Sequence, residues 1–234
     1  MDLGLVSGVS AMRAAERRLE AITANLANVN TTAHKGTRSV TRAFTVPGTD
    51  GLQREVATRH TRDWRQGDYQ PTGQTFDLAL EGAGFFVAEG PAGELLTRNG
   101  TFRMDSEGVL LTQEGYAVAW DGARGDIDPL GPAPVVDSSG TVHQGSSAIG
   151  RLHLVDFADR SQLSDEPDGY YSAMPRAERL PAEANVRQGG LERSNISPID
   201  ELVAMIRVQR SFESANSLMR KIDETYGRLN NARM

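Results

Sequence analysis

Two heptad repeats, one at each end of the chain, constrain the fold of these 234 residues more than any other feature. In both repeats, apolar or small residues recur at alternating steps of three and four, over residues 5–29 and 205–229. Repeats of this length predict amphipathic α-helices whose apolar seams pack against other helices. The large seam residues that we expect in helix contacts are Leu5, Met12, Leu19, Ile22, Leu26, Val29, Met205, Val208, Phe212, Met219, Ile222, Tyr226 and Leu229.

The two helices have two possible arrangements. They either pack separately on a globular core or pair with each other as a coiled coil, and matched seams at opposite ends of one chain favour pairing. The second helix starts with a capping pattern, because Ser197 precedes Pro198 and stands three residues before Asp200. The first helix has small residues off its seam, which permit close approach by further helices. Since tertiary packing supplies most helix stability, we expect both helices to become stable within an assembly.

The sequence pattern in the middle of the chain predicts β structure. From about residue 67 the helical period disappears, and short apolar runs alternate with turn signals such as Asn99-Gly100. This spacing predicts an antiparallel β domain of short strands over residues 67–196. Residues 34–66 are basic and predict an extended connector. The predicted fold is therefore α+β, with residues 1–33 and 197–234 as one helical domain.

Composition excludes several classes of protein. Cysteine is absent, which excludes disulfides and a cysteine nucleophile. The net charge of −6 argues against general nucleic-acid binding. No stretch approaches the roughly 20 apolar residues of a membrane span. The first residues lack the basic and apolar regions of a cleaved secretory signal.

The motifs of catalysis and cofactor binding are missing from the sequence. Gly82-Ala83-Gly84 begins like a dinucleotide loop, but the third glycine is missing and a strand follows where a helix is required. The four histidines are scattered without the spacing of metal ligands. We therefore expect no catalytic residues, no cofactor and no metal site, and we expect that the protein is not an enzyme.

Several stretches carry distinctive motifs, in order along the chain. They are ITANLANVNTT over residues 22–32, TGQTFDLALEGAGFFV over 72–87, TRNGTF over 97–102, GLERSNI over 190–196 and MIRVQRSFE over 205–213. With them the chain resembles the bacterial flagellar basal-body rod and hook axial proteins. Residues 210–213 and 222–224 are more similar to the proximal rod members than to the distal ones. The chain departs from the family pattern at Ala33-His34, where the family favours Gly-Phe.

The resemblance implies a structural subunit of the flagellar rod. Such subunits are exported uncleaved through the flagellar type III apparatus and assemble helically with copies of themselves and with other rod and hook proteins. Paired terminal helices line the tube, which forms the export channel of a rod that transmits torque in the periplasmic part of the basal body. Asn25, Asn28, Gln209 and Arg210 are then either polar contacts within the helical tube or simply exposed.

A second interpretation comes from a different class of protein. The chain is then a β-domain binding module or adhesin whose helical arms serve for oligomerisation. It predicts a small oligomer of defined stoichiometry with a saturable soluble ligand, whereas a rod subunit polymerises.

Overall fold

A computed structural model describes residues 3–48, 51–122 and 125–231. The side chains of residues 3–7, 41–48, 51–57, 223, 226, 227 and 229–231 lie outside that description. The chain divides into two compact units. The helical unit comprises Met1–Val29, Gly36–Asp63 and Ile196–Met234, and the β unit comprises Asn30–Lys35 and Trp64–Asn195. Two helices combined with many antiparallel strands confirm the predicted α+β class.

Among its described residues, the helical unit contains two helices and one hairpin. The helices are α1, Leu3–Ala27, and α2, Pro198–Asn231. The predicted cap of α2 is present, because the N–H of Asp200 donates to Oγ of Ser197 over 3.4 Å. Strands β1, Thr37–Gly48, and β2, Gly51–Arg62, pair antiparallel within the stretch predicted as an extended connector. α1 packs against α2 and against both strands, so the hairpin has a helix to cover it.

The β unit is built from short antiparallel strands. They are β3 Tyr69–Pro71, β4 Leu78–Ala83, β5 Phe85–Gly90, β6 Gly93–Thr97, β7 Arg103–Met104, β8 Leu110–Leu111, β9 Ala117–Val118, β10 Val135–Val136, β11 Thr141–Gln144, β12 Ser147–Arg151, β13 Leu154–Phe157, β14 Leu163–Asp165, β15 Tyr171–Ala173, β16 Arg179–Pro181, β17 Glu183–Gln188 and β18 Gly190–Glu192. Two 3₁₀ turns, Arg160–Gln162 and Pro167–Gly169, flank β14.

One large sheet dominates the β unit. Its strand order is β14-β15-β6-β5-β9-β8-β7, with β13 pairing both β5 and β16. Smaller sheets join β10-β11-β12, β17-β4 and β18-β3. Every strand pair among the described residues is antiparallel, as the frequent turn signals predicted.

Strand β5 lies between two hydrophobic cores. Successive side chains of a strand point to opposite faces, so Phe85 and Val87 enter one core while Phe86 enters the other. The first core contains Leu80, Phe102 and Leu152 beside Phe86, and the second contains Leu96, Phe157 and Tyr171 beside Phe85. A Phe-Phe-Val run is therefore apolar on both faces because both faces are buried.

Neither helix of the described chain is long and apolar enough to cross a membrane.

Candidate assembly interface

The predicted seams lie on α1, in the turn after it and on α2. Ile22 and Val208 are buried. The remaining seam residues with described side chains are half-buried: Met12, Leu19, Leu26, Val29, Met205, Phe212, Met219 and Ile222. The side chains of Leu5, Tyr226 and Leu229 lie outside the described residues. Whether these seams also contact other copies of the chain stays a prediction.

Gly8 marks a close approach between the two helices. A Cβ atom placed on Gly8 would lie 2.3 Å from Sδ and 3.0 Å from Cγ of Met219. Both residues occupy predicted seam positions. The absence of a side chain at Gly8 therefore makes room for Met219, and any larger residue there forces Met219 to move.

The first turns of α2 present a second apolar face. Ile199, Leu202, Val203 and Ile206 stand at positions i, i+3, i+4 and i+7 of α2, and we call them the outer patch. Ile199 is 73% exposed and Ile206 is 51% exposed, and the other two are also exposed. Sequence reasoning missed this patch because it followed only the longer seam. The same three-and-four spacing, read from Ile199, would have identified it.

Asn25, predicted as a polar contact, is buried within the helical unit. Its Oδ1 accepts from the N–H of Thr37 over 2.8 Å, and its Nδ2 donates to the carbonyl of Thr37 over 2.9 Å. Nδ2 also donates to Oε1 of Glu201 on α2 over 2.8 Å. Both amide hydrogens are thus engaged inside the chain.

The other predicted polar residues are placed differently. Asn28, in the turn after α1, is half-buried, and its Nδ2 donates to the carbonyl of Ala24 in α1 over 2.9 Å. Gln209 and Arg210 are exposed on α2. Their exposure leaves them accessible to a neighbouring molecule.

The β unit contains a buried ion cluster that sequence reasoning missed. Lys35, Glu192 and Arg98 are only 1%, 2% and 5% exposed. The ammonium group of Lys35 forms an ion pair with Oε1 of Glu192, and Nε of Arg98 donates to Oε2 over 3.1 Å. Burial lowers the pKa values of both Lys35 and Arg98, and the carboxylate of Glu192 opposes that shift. Each of these charges is stabilised by its partners, since an isolated buried charge is costly.

A sequence signal for this cluster does exist. Arg98 and Glu192 fall in the TRNGTF and GLERSNI motifs, and Lys35 follows the N-terminal motif by three residues. Charged residues inside motifs that are far apart in sequence are candidates for one shared site.

An open groove of about 530 Å³ lies beside β5, β6 and β9 of the β unit. Trp120 and His153 line it together with Glu89, Glu94 and Asp121. Asp121 contacts both His153 and Arg151, and Glu94 contacts Arg179. The carboxylates of Asp121 and Glu94 therefore already have partners within the protein. Within the described ranges, no three histidines or carboxylates are grouped in a way that could hold a metal ion.

Comparisons with known proteins match the chain from near its first residue to near its last. Residues 5–35 match the flagella basal body rod protein family, residues 79–143 the flagellar hook protein FlgE/F/G D1 domain, and residues 187–232 the C-terminal part of flagellar basal body rod FlgEFG proteins. The flagellar basal-body rod protein FlgF of Caulobacter vibrioides is 36% identical over 228 residues, which cover 94% of this chain and 93% of the relative. FlgF of Salmonella typhimurium is 32% identical over 248 residues, with coverage of 94% and 95%. The rod protein FlgG of Bacillus subtilis is 29% identical over 258 residues, with the same coverage.

Proposed function

Because the chain belongs to the flagellar basal-body rod protein family, we propose that it is a proximal rod subunit that assembles helically through its terminal helices. The family is structural, so the protein is a structural component and not an enzyme. Its partners are further copies of itself, the other rod and hook axial proteins and the flagellar type III export apparatus. The subunit is exported without a cleaved signal peptide and resides in the periplasmic rod of the basal body. There the assembled helices form the export channel, and the rod transmits torque.

In this proposal α1 and α2 pair as a coiled coil. Residues 1–33 and 197–234 act as one helical domain, residues 34–66 as a connector whose hairpin packs on α1, and residues 67–196 as a β domain. The packing of α1 on α2 and the close approach of Gly8 to Met219 support the pairing. The matched heptad repeats support it as well, because a seven-residue period keeps one apolar seam facing a partner helix.

The exposure of the outer patch is the main support for assembly through the terminal helices. Val208 on the seam face of α2 is buried within the helical unit, whereas Ile199 and Ile206 are exposed. A helix with one apolar face toward its own chain and a second toward solvent has a face left for another molecule. Burying one exposed leucine or isoleucine contributes roughly 1.5–3 kcal/mol. Several such residues in each subunit therefore favour polymerisation.

Charge distribution supports contacts through the helical unit. Aspartate and glutamate outnumber arginine and lysine in the β unit, whereas the helical unit carries a small excess of basic residues. Like-charged β units repel one another, which disfavours contacts between them at low ionic strength. In the polymer, Asn28, Gln209 and Arg210 supply polar contacts between copies, and Asn25 holds the helical unit together.

The test compares three substitutions on α2 for helix content of the purified monomer and for motility of the bacterium. Ile206→Asp leaves the monomer helical, because this side chain is exposed there, but buries an unpaired charge in the polymer and abolishes motility. Phe212→Asp lies on the seam, so it reduces helix content as well as motility. Ser217→Asp adds the same charge at an exposed polar position and serves as the control.

Two results would contradict the proposal. Motility at the wild-type level with Ile206→Asp would remove the outer patch from the interface. A purified protein that forms a small oligomer of fixed size and binds a soluble ligand at the groove beside Trp120 would favour the binding-module interpretation instead.

A further inference from the structure

Three segments of the β unit connect in sequence to the helical unit. Residues 30–35 link α1 to β1, residues 64–68 follow β2, and residues 190–195 precede α2. They are distant in sequence, but they meet within the β unit. The N–H of Ala33 donates to the carbonyl of Glu192 over 2.8 Å, and the N–H of Arg193 donates to the carbonyl of Asp68 over 2.8 Å.

One ion pair touches all three segments. The ammonium group of Lys35, in the first segment, donates to the carbonyl of Arg65 in the second over 2.9 Å, and it also contacts Oε1 of Glu192 in the third. The same Oε1 accepts from the N–H of Gly67 over 2.9 Å. Since Lys35 and Glu192 are both buried, no solvent competes for these contacts.

Arg98 connects this ion pair to the sheets. Its Nε donates to Glu192, and its Nη1 donates to the carbonyls of Gly82 over 2.9 Å and of Gly84 over 2.7 Å. Gly82 belongs to β4, and Gly84 lies between β4 and β5. The contacts therefore run from the three segments, through one carboxylate, to the strands that border both hydrophobic cores.

We propose that Lys35 and Glu192 form a clasp that closes the three segments onto one another, and that Arg98 anchors this clasp to β4 and β5. The clasp opens separately from the hydrophobic cores. Given the proposed function as a rod subunit, the clasp passes force from the terminal helices to the β unit. Lys35, Glu192 and Arg98 are positioning residues in this scheme.

The clasp opens as a unit because its members depend on one another. Removing one partner leaves an uncompensated buried charge, which is strongly unfavourable. The two cores are built from other, apolar residues, such as Leu80 and Phe85, and neither includes a member of the ion cluster. Local opening at lower free energy than global unfolding is usual where buried apolar contacts are few.

Lysine acetylation of the full-length monomer measures this opening directly. The chain has 2 lysines, Lys35 and Lys221, and Lys221 is exposed on α2. Peptide mass spectrometry after a short pulse of reagent gives the rate at each lysine. We expect Lys35 to react at least about a hundredfold more slowly than Lys221 in the wild-type protein, since it reacts only when the clasp opens. Amide exchange at Leu80 and Phe86 reports core opening in parallel.

Two variants open the clasp by different routes. Glu192→Gln removes the carboxylate charge, and this also lowers the pKa of Lys35 further, because the carboxylate opposes the effect of burial. Gly67→Ala leaves both charges in place, but its Cβ would lie 1.9 Å from the carbonyl oxygen of Arg193, a backbone clash that forces two segments apart. Both should raise the acetylation rate of Lys35 by about tenfold or more at unchanged exchange of Leu80 and Phe86.

Gly90→Ala is the matched control. Its Cβ would meet the side chain of Leu95 in the β5–β6 hairpin, away from the clasp. We expect this variant to leave the acetylation rate of Lys35 at the wild-type value.

Each remaining outcome overturns part of the proposal. Wild-type acetylation of Lys35 in both clasp variants would show that the ion pair does not hold the segments. Faster acetylation accompanied by equally faster exchange at Leu80 would show that the cluster opens only with the cores. Normal motility of bacteria that carry a variant with an open clasp would show that the clasp does not transmit force. That result would leave the assignment as a rod subunit unchanged.

Discussion

Asn25 on α1 and Glu201 on α2 are joined by a hydrogen bond of 2.8 Å between Nδ2 of the amide and Oε1 of the carboxylate. The same amide pairs with both the N–H and the carbonyl of Thr37, the first residue of β1. One buried side chain therefore links the two helices and the hairpin of the helical unit. Because this link is polar and directional, it favours one alignment of α1 on α2.

We expect Asn25→Leu to destabilise the helical unit. The leucine is similar in size, but it leaves the N–H and carbonyl of Thr37 without their side-chain partner, at a cost of about 1–3 kcal/mol. Glu201→Gln keeps an acceptor oxygen for Asn25 and should cost less than about 1 kcal/mol. Thermal unfolding followed by ellipticity at 222 nm compares the two. Equal losses in both variants would contradict the role of the Thr37 contacts.

Gly8 and Met219 should show strong energetic coupling. Alanine at position 8 should stabilise α1 by about 1 kcal/mol through its higher helix propensity. In a chain that keeps Met219, however, the added Cβ collides with the Met219 side chain. Met219→Ala removes the obstruction. We therefore expect Gly8→Ala to be more favourable in the Met219→Ala chain than in the wild-type chain, by about 0.5 kcal/mol or more. A double-mutant cycle on the free energy of unfolding measures the difference, and strict additivity would show that the two positions are not in contact.

Ala33 adopts the left-handed backbone conformation, with a φ of 56°, in the turn between α1 and β1. Its position is the one where the family pattern favours glycine. We expect Ala33→Gly to be nearly neutral, because relief of about 1–2 kcal/mol of strain offsets the loss of a buried methyl group worth about 0.8 kcal/mol and the added chain entropy.

The matched control for Ala33→Gly is Ala79→Gly. Ala79 is also a buried alanine, but it lies in strand β4. Its replacement should cost about 1–2 kcal/mol, since strand geometry stores no comparable strain. Chemical denaturation of both variants gives the comparison. A loss at Ala33 as large as the loss at Ala79 would show that the turn is not strained.

Asp137 should make the β unit sensitive to acid. The hydroxyl of Ser139 above all, assisted by the N–H groups of Thr141 and Ser139 and by His143, lowers the pKa of Asp137 to about 2. A carboxylate with a lowered pKa stabilises the fold above its ordinary pKa of 3.8 and loses that contribution as the pH falls toward 2. Since this side chain is partly exposed, we expect a contribution of less than about 1 kcal/mol.

Asp137→Asn tests this pH dependence, because asparagine keeps an acceptor oxygen but does not titrate. The melting temperatures of wild-type and variant proteins should differ at pH 5 and converge as the pH falls to about 2. Ser139→Ala removes the strongest donor and should weaken the pH dependence of the native protein. A constant difference between pH 5 and pH 2 would contradict the assignment.

The predicted elements of the β unit illustrate how far local pattern extends. Alternating runs and turns such as the one at residues 90–93 predicted short antiparallel strands, which the structure contains. The hairpin predicted at Asn99-Gly100 is wrong, because β6 pairs with β5 and β15, and β7 pairs with β8. The Phe85-Phe86 pair did not reveal which face of β5 is buried, since both faces are. Only the packing of other strands around β5 decides that question.

Local sequence pattern was enough to predict the two helices, many of the short strands and the resemblance to the rod family, but not the strands within residues 163–188. The physical reason is that a seven-residue period and turn residues act over a few neighbouring positions, so they can be read without knowing the fold. The remaining features depend on tertiary packing. The sequence shows three separate charged residues: Lys35, Arg98 and Glu192. Only the folded β unit buries them and pairs their charges. Likewise, the exposure of Ile206 and the burial of Val208 depend on which face of α2 the rest of the helical unit covers.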